Sequence, residues 1–222
     1  MTGQKILILG GTREAAELAA DLVAQGHDVT TSLAGRTKEP NPLKGTVRIG
    51  GFGGTQGLAD YLESEGFHRL VDVTHPFAKQ VSANAKEAAR ITGVAFESRI
   101  RPPWKKQPGD QWKEVSSLEE ARDYLPAGAR VFLALGRQHI SIFSTRTDVH
   151  FTVRMINPPA EPLALEHHQI ILGRPGNMTA EKALLQRNAI THLVCRNSGG
   201  ESAYAKIKAA RQLGMEVVIV QR

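Results

Sequence analysis

The chain has one cysteine, Cys195, in 222 residues. That excludes an internal disulfide and any cysteine-rich zinc site, and it suits a reducing compartment. Nowhere do 18 apolar residues follow one another, and the apolar run after Lys5 is too short for the core of a secretory signal, so a soluble, cytoplasmic protein with no membrane partner is expected. Neither H-E-x-x-H nor G-x-S-x-G occurs. His167 and His168 are adjacent and point different ways in a strand or helix, so no metal site is expected. Acid is also in short supply. Lys plus Arg number 28 against 22 for Asp plus Glu, a formal net charge of +6, and the expected partners are anions. Charge alone leaves nucleic acid, an acidic membrane surface and a polycarboxylate or phosphorylated small molecule all open.

What is present is a rhythm. Strand-like runs at 6–9, 28–32, 46–49, 69–73 and 94–98 alternate with helix-like runs near 13–25, 56–65 and 78–91, as in a parallel sheet covered on both faces. The stretch 101–113, R-P-P-W-K-K-Q-P-G-D-Q-W-K, breaks the rhythm with three prolines and no period, and reads as a domain junction. Strands then resume near 130–135, 150–155, 169–172, 192–196 and 217–221, with helices near 118–124, 179–188 and 202–213. H-R-L-V-D-V-T-H-P-F and the segment to 99 run parallel to H-L-V-C-R-N-S-G-G and the segment to 220, so both halves finish on one strand-loop-helix-strand unit. The expected fold is α/β, two Rossmann-like parallel-sheet domains, 1–103 and 104–222, with the active-site cleft between them at the carboxyl ends of the strands.

The first strand runs into Gly10, Gly11 and Thr12, which open a helix whose apolar residues repeat at helical spacing. Glycines admit close backbone approach, and the amides at a helix start favour an anion, so these three residues are candidates for a cofactor phosphate. The turn lacks the last glycine of G-x-G-x-x-G and is equally compatible with a tight turn that binds nothing. The second strand ends without an acid before Glu39 but with Ser32 and Arg36, which favours the 2′-phosphate of NADP over NAD. Four glycines follow the third strand, Gly53 among them, and suit a backbone that approaches a cofactor. The fourth strand ends in Thr74 and His75; Thr74 is placed with the cofactor, and His75 is the candidate proton donor.

In the second half, strands again end in glycine with arginine at the rim: Arg137 and Gln138, then Arg196, Ser198, Gly199 and Gly200. These suit carboxylates held by forked or helix-terminal hydrogen bonds. Arg101 and Lys206 join them as candidates for the same ligand. The basic and aromatic residues of the junction, Trp104, Lys105, Lys106, Trp112 and Lys113, suit a flat anionic ring, and equally single-stranded nucleic acid. Tyr204 and Lys208 match the Tyr-x-x-x-Lys spacing of short-chain dehydrogenases, but they sit in the last helix, away from the glycine turn.

Taken together, I-L-I-L-G-G-T-R-E-A at 6–15, D-V-T-H-P-F-A at 72–78, R-P-P-W at 101–104, L-G-R-Q at 135–138 and N-S-G-G-E-S-A-Y-A-K at 197–206 closely resemble the precorrin-6A and cobalt-precorrin-6A reductases of cobalamin biosynthesis. The loop G-R-P-G-N at 173–177 departs from the glycine-proline-phenylalanine type expected there, and the chain is somewhat short for the family. The resemblance implies NADPH-dependent reduction of one double bond in a corrin-precursor macrocycle, a tetrapyrrole rimmed with carboxylates. The other classes left open are another NADP-dependent enzyme of the short-chain dehydrogenase or epimerase type and a basic nucleic-acid-binding module.

Overall fold

The computed structural model describes residues 3–35, 43–201 and 203–222. The chain divides into two compact units, Met1–Arg101 and Pro102–Arg222.

The first unit alternates β1 (Lys5–Leu9), α1 (Arg13–Ala24), β2 (Asp28–Leu33), β3 (Thr46–Ile49), α2 (Thr55–Ser64), β4 (Arg69–Asp72), α3 (Lys79–Thr92) and β5 (Ala95–Ser98). Its sheet has the order β3-β2-β1-β4-β5, with every pair parallel. β1 lies at the centre and is buried on both faces, which is why it reads as an unbroken apolar run. Ile6 and Ile8, with Val71 and Val73, pack on Ala15, Leu18, Ala19 and Leu22 of α1. Leu7 and Leu9, with Leu70, meet Leu58 and Leu62 of α2 and Ala85 and Ala88 of α3.

The second unit comprises β6 (Gln111–Val115), α4 (Leu118–Tyr124), β7 (Arg130–Ala134), a 3₁₀ segment (Arg137–Phe143), β8 (His150–Met155), β9 (His168–Leu172), α5 (Met178–Arg187), β10 (His192–Arg196), α6 (Ala205–Gln212) and β11 (Glu216–Val220). These strands form a second all-parallel sheet, β6-β11-β10-β7-β8-β9. Both units end on the expected repeat, β4-α3-β5 and β10-α6-β11, with the two strands adjacent in each.

Two readings of the sequence need correction. The aperiodic stretch 101–113 is not junction throughout, because it runs into β6, an edge strand paired with β11 through Trp112 and Val217. Only Trp112 and Val115 of its five residues are buried, too sparse an apolar signal to stand out after three prolines. Trp112 is consequently a core residue against Ile207, Leu193 and Val217, not a platform for a ring. After β7, where the sequence reading placed no element, Ile140 and Phe143, three residues apart, bury one side of a 3₁₀ segment.

Cys195 is buried in β10, and burial pushes its thiol up to about 11. It packs as a small hydrophobe, with no thiolate at neutral pH. Among the described residues, no helix is long and apolar enough to cross a membrane.

Candidate functional site

All strands of a parallel sheet deliver their carboxyl ends to one edge, and the strand order reverses where the chain returns to the middle. In the first unit that reversal lies between β1 and β4; in the second it lies between β7 and β10. A crevice for a ligand forms outside the carboxyl ends at such a point. The loops that follow these four strands hold Gly10–Thr12, Thr74–His75, Arg137–Gln138 and Arg196–Gly200. Sequence reasoning had selected these residues for their types, and the topology brings them to the reversal point of their own sheet.

The glycine turn of the first unit is built for a backbone conformation. Gly10 donates its amide to Ser32 O (2.9 Å), and a β-carbon there would press on the Thr31 methyl at 2.7 Å. Gly11 has φ +100°, a region that favours glycine, and nothing lies within 4 Å of the position a β-carbon would take. Thr12 caps α1. Its Oγ1 accepts from the Ala15 amide (3.1 Å) and donates to Val73 O (2.7 Å), tying the turn after β1 to the loop after β4. Its hydroxyl is therefore engaged within the fold, and an anion at the helix start would be met by main-chain amides.

Behind Thr74 lies a residue the motif reading passed over. Asp72 is fully buried at the end of β4; its Oδ1 accepts from the Thr74 amide (3.0 Å) and hydroxyl (2.7 Å). Oδ2 is buried with no partner among the described residues. Asp72 thus sets the Thr74 hydroxyl in one orientation. His75, next along, is exposed; its Nδ1 accepts from the Phe77 amide (3.3 Å) and its ring lies 5.9 Å from that of Phe77.

A second overlooked residue organises the glycines after β3. Arg48 donates to Gly50 O (2.6 Å) and Gly51 O (2.9 Å), and its guanidinium lies 3.9 Å from the centre of the Phe52 ring. Gly53 and Gly54 follow with φ +78° and +99° and open space around them. An arginine interrupting an otherwise apolar strand was the available signal. Ser32 is buried in β2, whereas Arg36 lies outside the described residues.

Arg101, proposed as a carboxylate ligand, directly precedes Pro102, whose carbonyl oxygen lies against Gly199. Arg101 itself belongs to the first unit, where Nη1 donates to Glu14 Oε2 (2.8 Å) in the first turn of α1. Lys206 is buried in α6, with Nζ donating to Ala203 O (2.6 Å) and lying 5.0 Å from the centre of the Trp104 ring. Arg137 and Gln138 are exposed at the end of β7.

The N-S-G-G segment and R-P-P-W segment are partners. The Asn197 side chain accepts from the Trp104 amide (2.7 Å) and donates to Trp104 O (3.0 Å) and Gln221 Oε1 (3.1 Å). The Trp104 indole donates to Gly200 O (2.8 Å). A β-carbon on Gly199 would collide with Pro102 O. Two motifs nearly a hundred residues apart thereby hold one loop, and Trp104, packed on Tyr204 at 5.5 Å between ring centres, is part of that lock. Tyr204 Oη accepts from Arg211 (2.7 Å), which also forks onto Asp110; this tyrosine is committed to the second unit's own packing.

Asn197→Ala removes three buried hydrogen bonds and strands the main-chain groups of Trp104. The expected cost is about 2–4 kcal/mol of unfolding free energy, from roughly 1 kcal/mol per lost bond plus desolvation of the orphaned groups. Urea unfolding of Asn197→Ala measures it. Wild-type stability in the alanine variant contradicts the lock.

A family model described as Precorrin-6x reductase CbiJ/CobK matches residues 5–222. The chain is 46% identical over 220 residues to a precorrin-6A reductase of Rhodobacter capsulatus, covering 98% of this chain and 88% of that protein. It is 27% identical over 231 residues to a cobalt-precorrin-6A reductase of Priestia megaterium, covering 98% and 90%. A solved structure titled CobK precorrin-6A reductase superposes with a TM-score of 0.96 at 46% identity, covering all of this chain and 88% of that one. With a match that runs through both units and takes in both strand reversals, the chain belongs to the precorrin-6x reductase CbiJ/CobK family.

Proposed function

We propose that the protein reduces one double bond of precorrin-6A with NADPH to give the 6B form. The similarity of the whole chain to precorrin-6A reductases carries this reading. Relatives bearing that name are 39–46% identical, whereas those named cobalt-precorrin-6A reductase are 24–28% identical, which favours the metal-free macrocycle.

The first unit takes the cofactor. The open space above Gly11, Gly53 and Gly54 and the amides at the start of α1 fit a dinucleotide with its phosphates on the turn. NADPH supplies a hydride to one ring carbon, and a proton on the neighbouring carbon completes the saturated bond. Thr74, oriented by Asp72, offers its hydroxyl oxygen beside that crevice. Arg36 and Ser32 are assigned to the 2′-phosphate end. The second unit takes the macrocycle, whose peripheral carboxylates suit Arg137, Gln138, Arg196, Ser198 and the main chain at Gly199 and Gly200. The arginines Arg13, Arg69, Arg90, Arg99, Arg122, Arg146 and Arg211 each pair with an acid, so much of the positive surplus is divided into local pairs. That pattern favours a small anionic substrate over a nucleic acid backbone. The engagement of Tyr204 by Arg211 argues against a short-chain dehydrogenase mechanism.

Anaerobic stopped-flow oxidation of NADPH with metal-free and cobalt-containing precorrin-6A tests the assignment. Turnover of the metal-free ring at least tenfold faster is the expected result; no oxidation with either ring refutes the function. Arg36→Ala is expected to weaken NADPH binding by about tenfold or more while leaving NADH binding within twofold, since a charge-assisted bond to phosphate is worth about 1.5–3 kcal/mol. Equal losses for the two cofactors remove Arg36 from the 2′-phosphate. His75→Asn should retain single-turnover reduction within about tenfold of wild type, with solvent supplying the proton and orientation setting the hydride step. A loss of several orders of magnitude with both affinities intact makes His75 the acid.

A further inference from the structure

The loop at 173–177 is anchored through a buried ion pair. Arg154 of β8 and Glu181 of α5 form a buried ion pair (2.8 Å), Glu181 being 2% exposed. Removing such a pair from water is costly, and it rewards the fold only when the remaining carboxylate oxygen is satisfied and the geometry is fixed. The remaining oxygen, Oε1, accepts the amide of Gly176 (2.8 Å). Asn177 caps α5 by accepting from the Ala180 amide (3.0 Å), and Gly173 donates to Met155 O (2.8 Å). The loop is held at three points within five residues, and Pro175 restricts the backbone between them. The exposed charged side chain it carries is Arg174.

Two large apolar side chains stand exposed at the ends of the two neighbouring strands. Leu172, the last residue of β9, is 55% exposed, and Ile156, just past the end of β8, is 49% exposed. β8 and β9 are neighbours with Met155 opposite Leu172, so the two lie at one corner of the carboxyl edge. β7, which carries Arg137 and Gln138, is the next strand in. The edge from β7 to β9 spans two strand spacings, about 10 Å, and presents in turn a basic and polar end, an apolar middle and a basic end. A planar apolar ring with carboxylates around its rim has the matching order.

We propose that Ile156, Leu172 and Arg174 form a substrate platform, the apolar pair against the face of the macrocycle and Arg174 on a peripheral carboxylate, with the Glu181–Arg154 pair as a positioning device that presets the loop. This rests on the reading of the substrate as a polycarboxylate tetrapyrrole and extends its site to strands that no motif marked.

Anaerobic absorbance titration with metal-free precorrin-6A tests the platform. Arg174→Gln should raise the Kd about tenfold, Arg174→Lys by less, and Leu172→Ser about threefold, with NADPH affinity and melting temperature unchanged in each because the side chains are exposed. The affinity of Arg174→Gln should also fall less steeply with added salt than that of wild type, a change that a structural role would not produce. Wild-type Kd and salt dependence in Arg174→Gln overturn the platform while leaving the reductase function intact. Failure of the wild-type protein to bind the macrocycle overturns both.

Discussion

Every strand pair in both sheets is parallel, and this single constraint governs where chemistry can sit. A parallel ladder cannot be closed by tight turns; each strand must be reached by a crossover, usually through a helix. The loops that leave the strands therefore all emerge at one edge, and the residues at their tips are neighbours whatever their distance in the chain. Thr12 bonded to Val73 O, and Gly10 bonded to Ser32 O, are local expressions of that arrangement. They fix the turn after β1 against the loops after β4 and β2 without any ligand.

The constraint also sorts the charges. Many arginines of this basic chain pair with an acid, along a helix as with Arg13 and Glu17, across a strand pair as with Arg69 and Glu97, or between distant elements as with Arg211 and Asp110. Surface pairs of this kind contribute little to stability. Arg137 and Arg174 are exposed in the loops that follow strands of the second sheet. Arg101 shows the opposite assignment. Its charge is set against Glu14 in the first turn of α1, where an uncompensated carboxylate would oppose an incoming phosphate.

Motif residues also serve the fold. Asn197 and Trp104 lie in segments that look functional because they are unusual in composition, yet their side chains bond to one another's segments, with Gly200 and Gln221 as further partners. Their effect on chemistry is indirect: they hold the strand end that bears Arg196 and Ser198. Asp72, Arg48 and Glu181 act in the same way toward Thr74, the glycines after β3 and the loop of Arg174. None of the three was selected from the sequence, because a lone acid or arginine inside a strand or helix carries no motif; its meaning lies in what it touches.

The order and type of nearly every element were legible in the sequence, since they follow from short-range rules: continuous apolar runs for strands buried on two faces, helical spacing after Thr12 and Ser117, glycine where the backbone turns. The glycine turn and the basic strand ends were legible for the same reason, as each depends on residue type at adjacent positions. β6 was not, because only two of its five residues are buried and prolines precede it. Nor was the place of Trp112 in the core, the pairing of Arg101 with Glu14 or the contact of Lys206 with Trp104. Pairing between residues such as Trp104 and Asn197, 93 positions apart, depends on how the loops of the second unit are folded onto its one sheet. That is a property of the packed chain, and local sequence has no term for it.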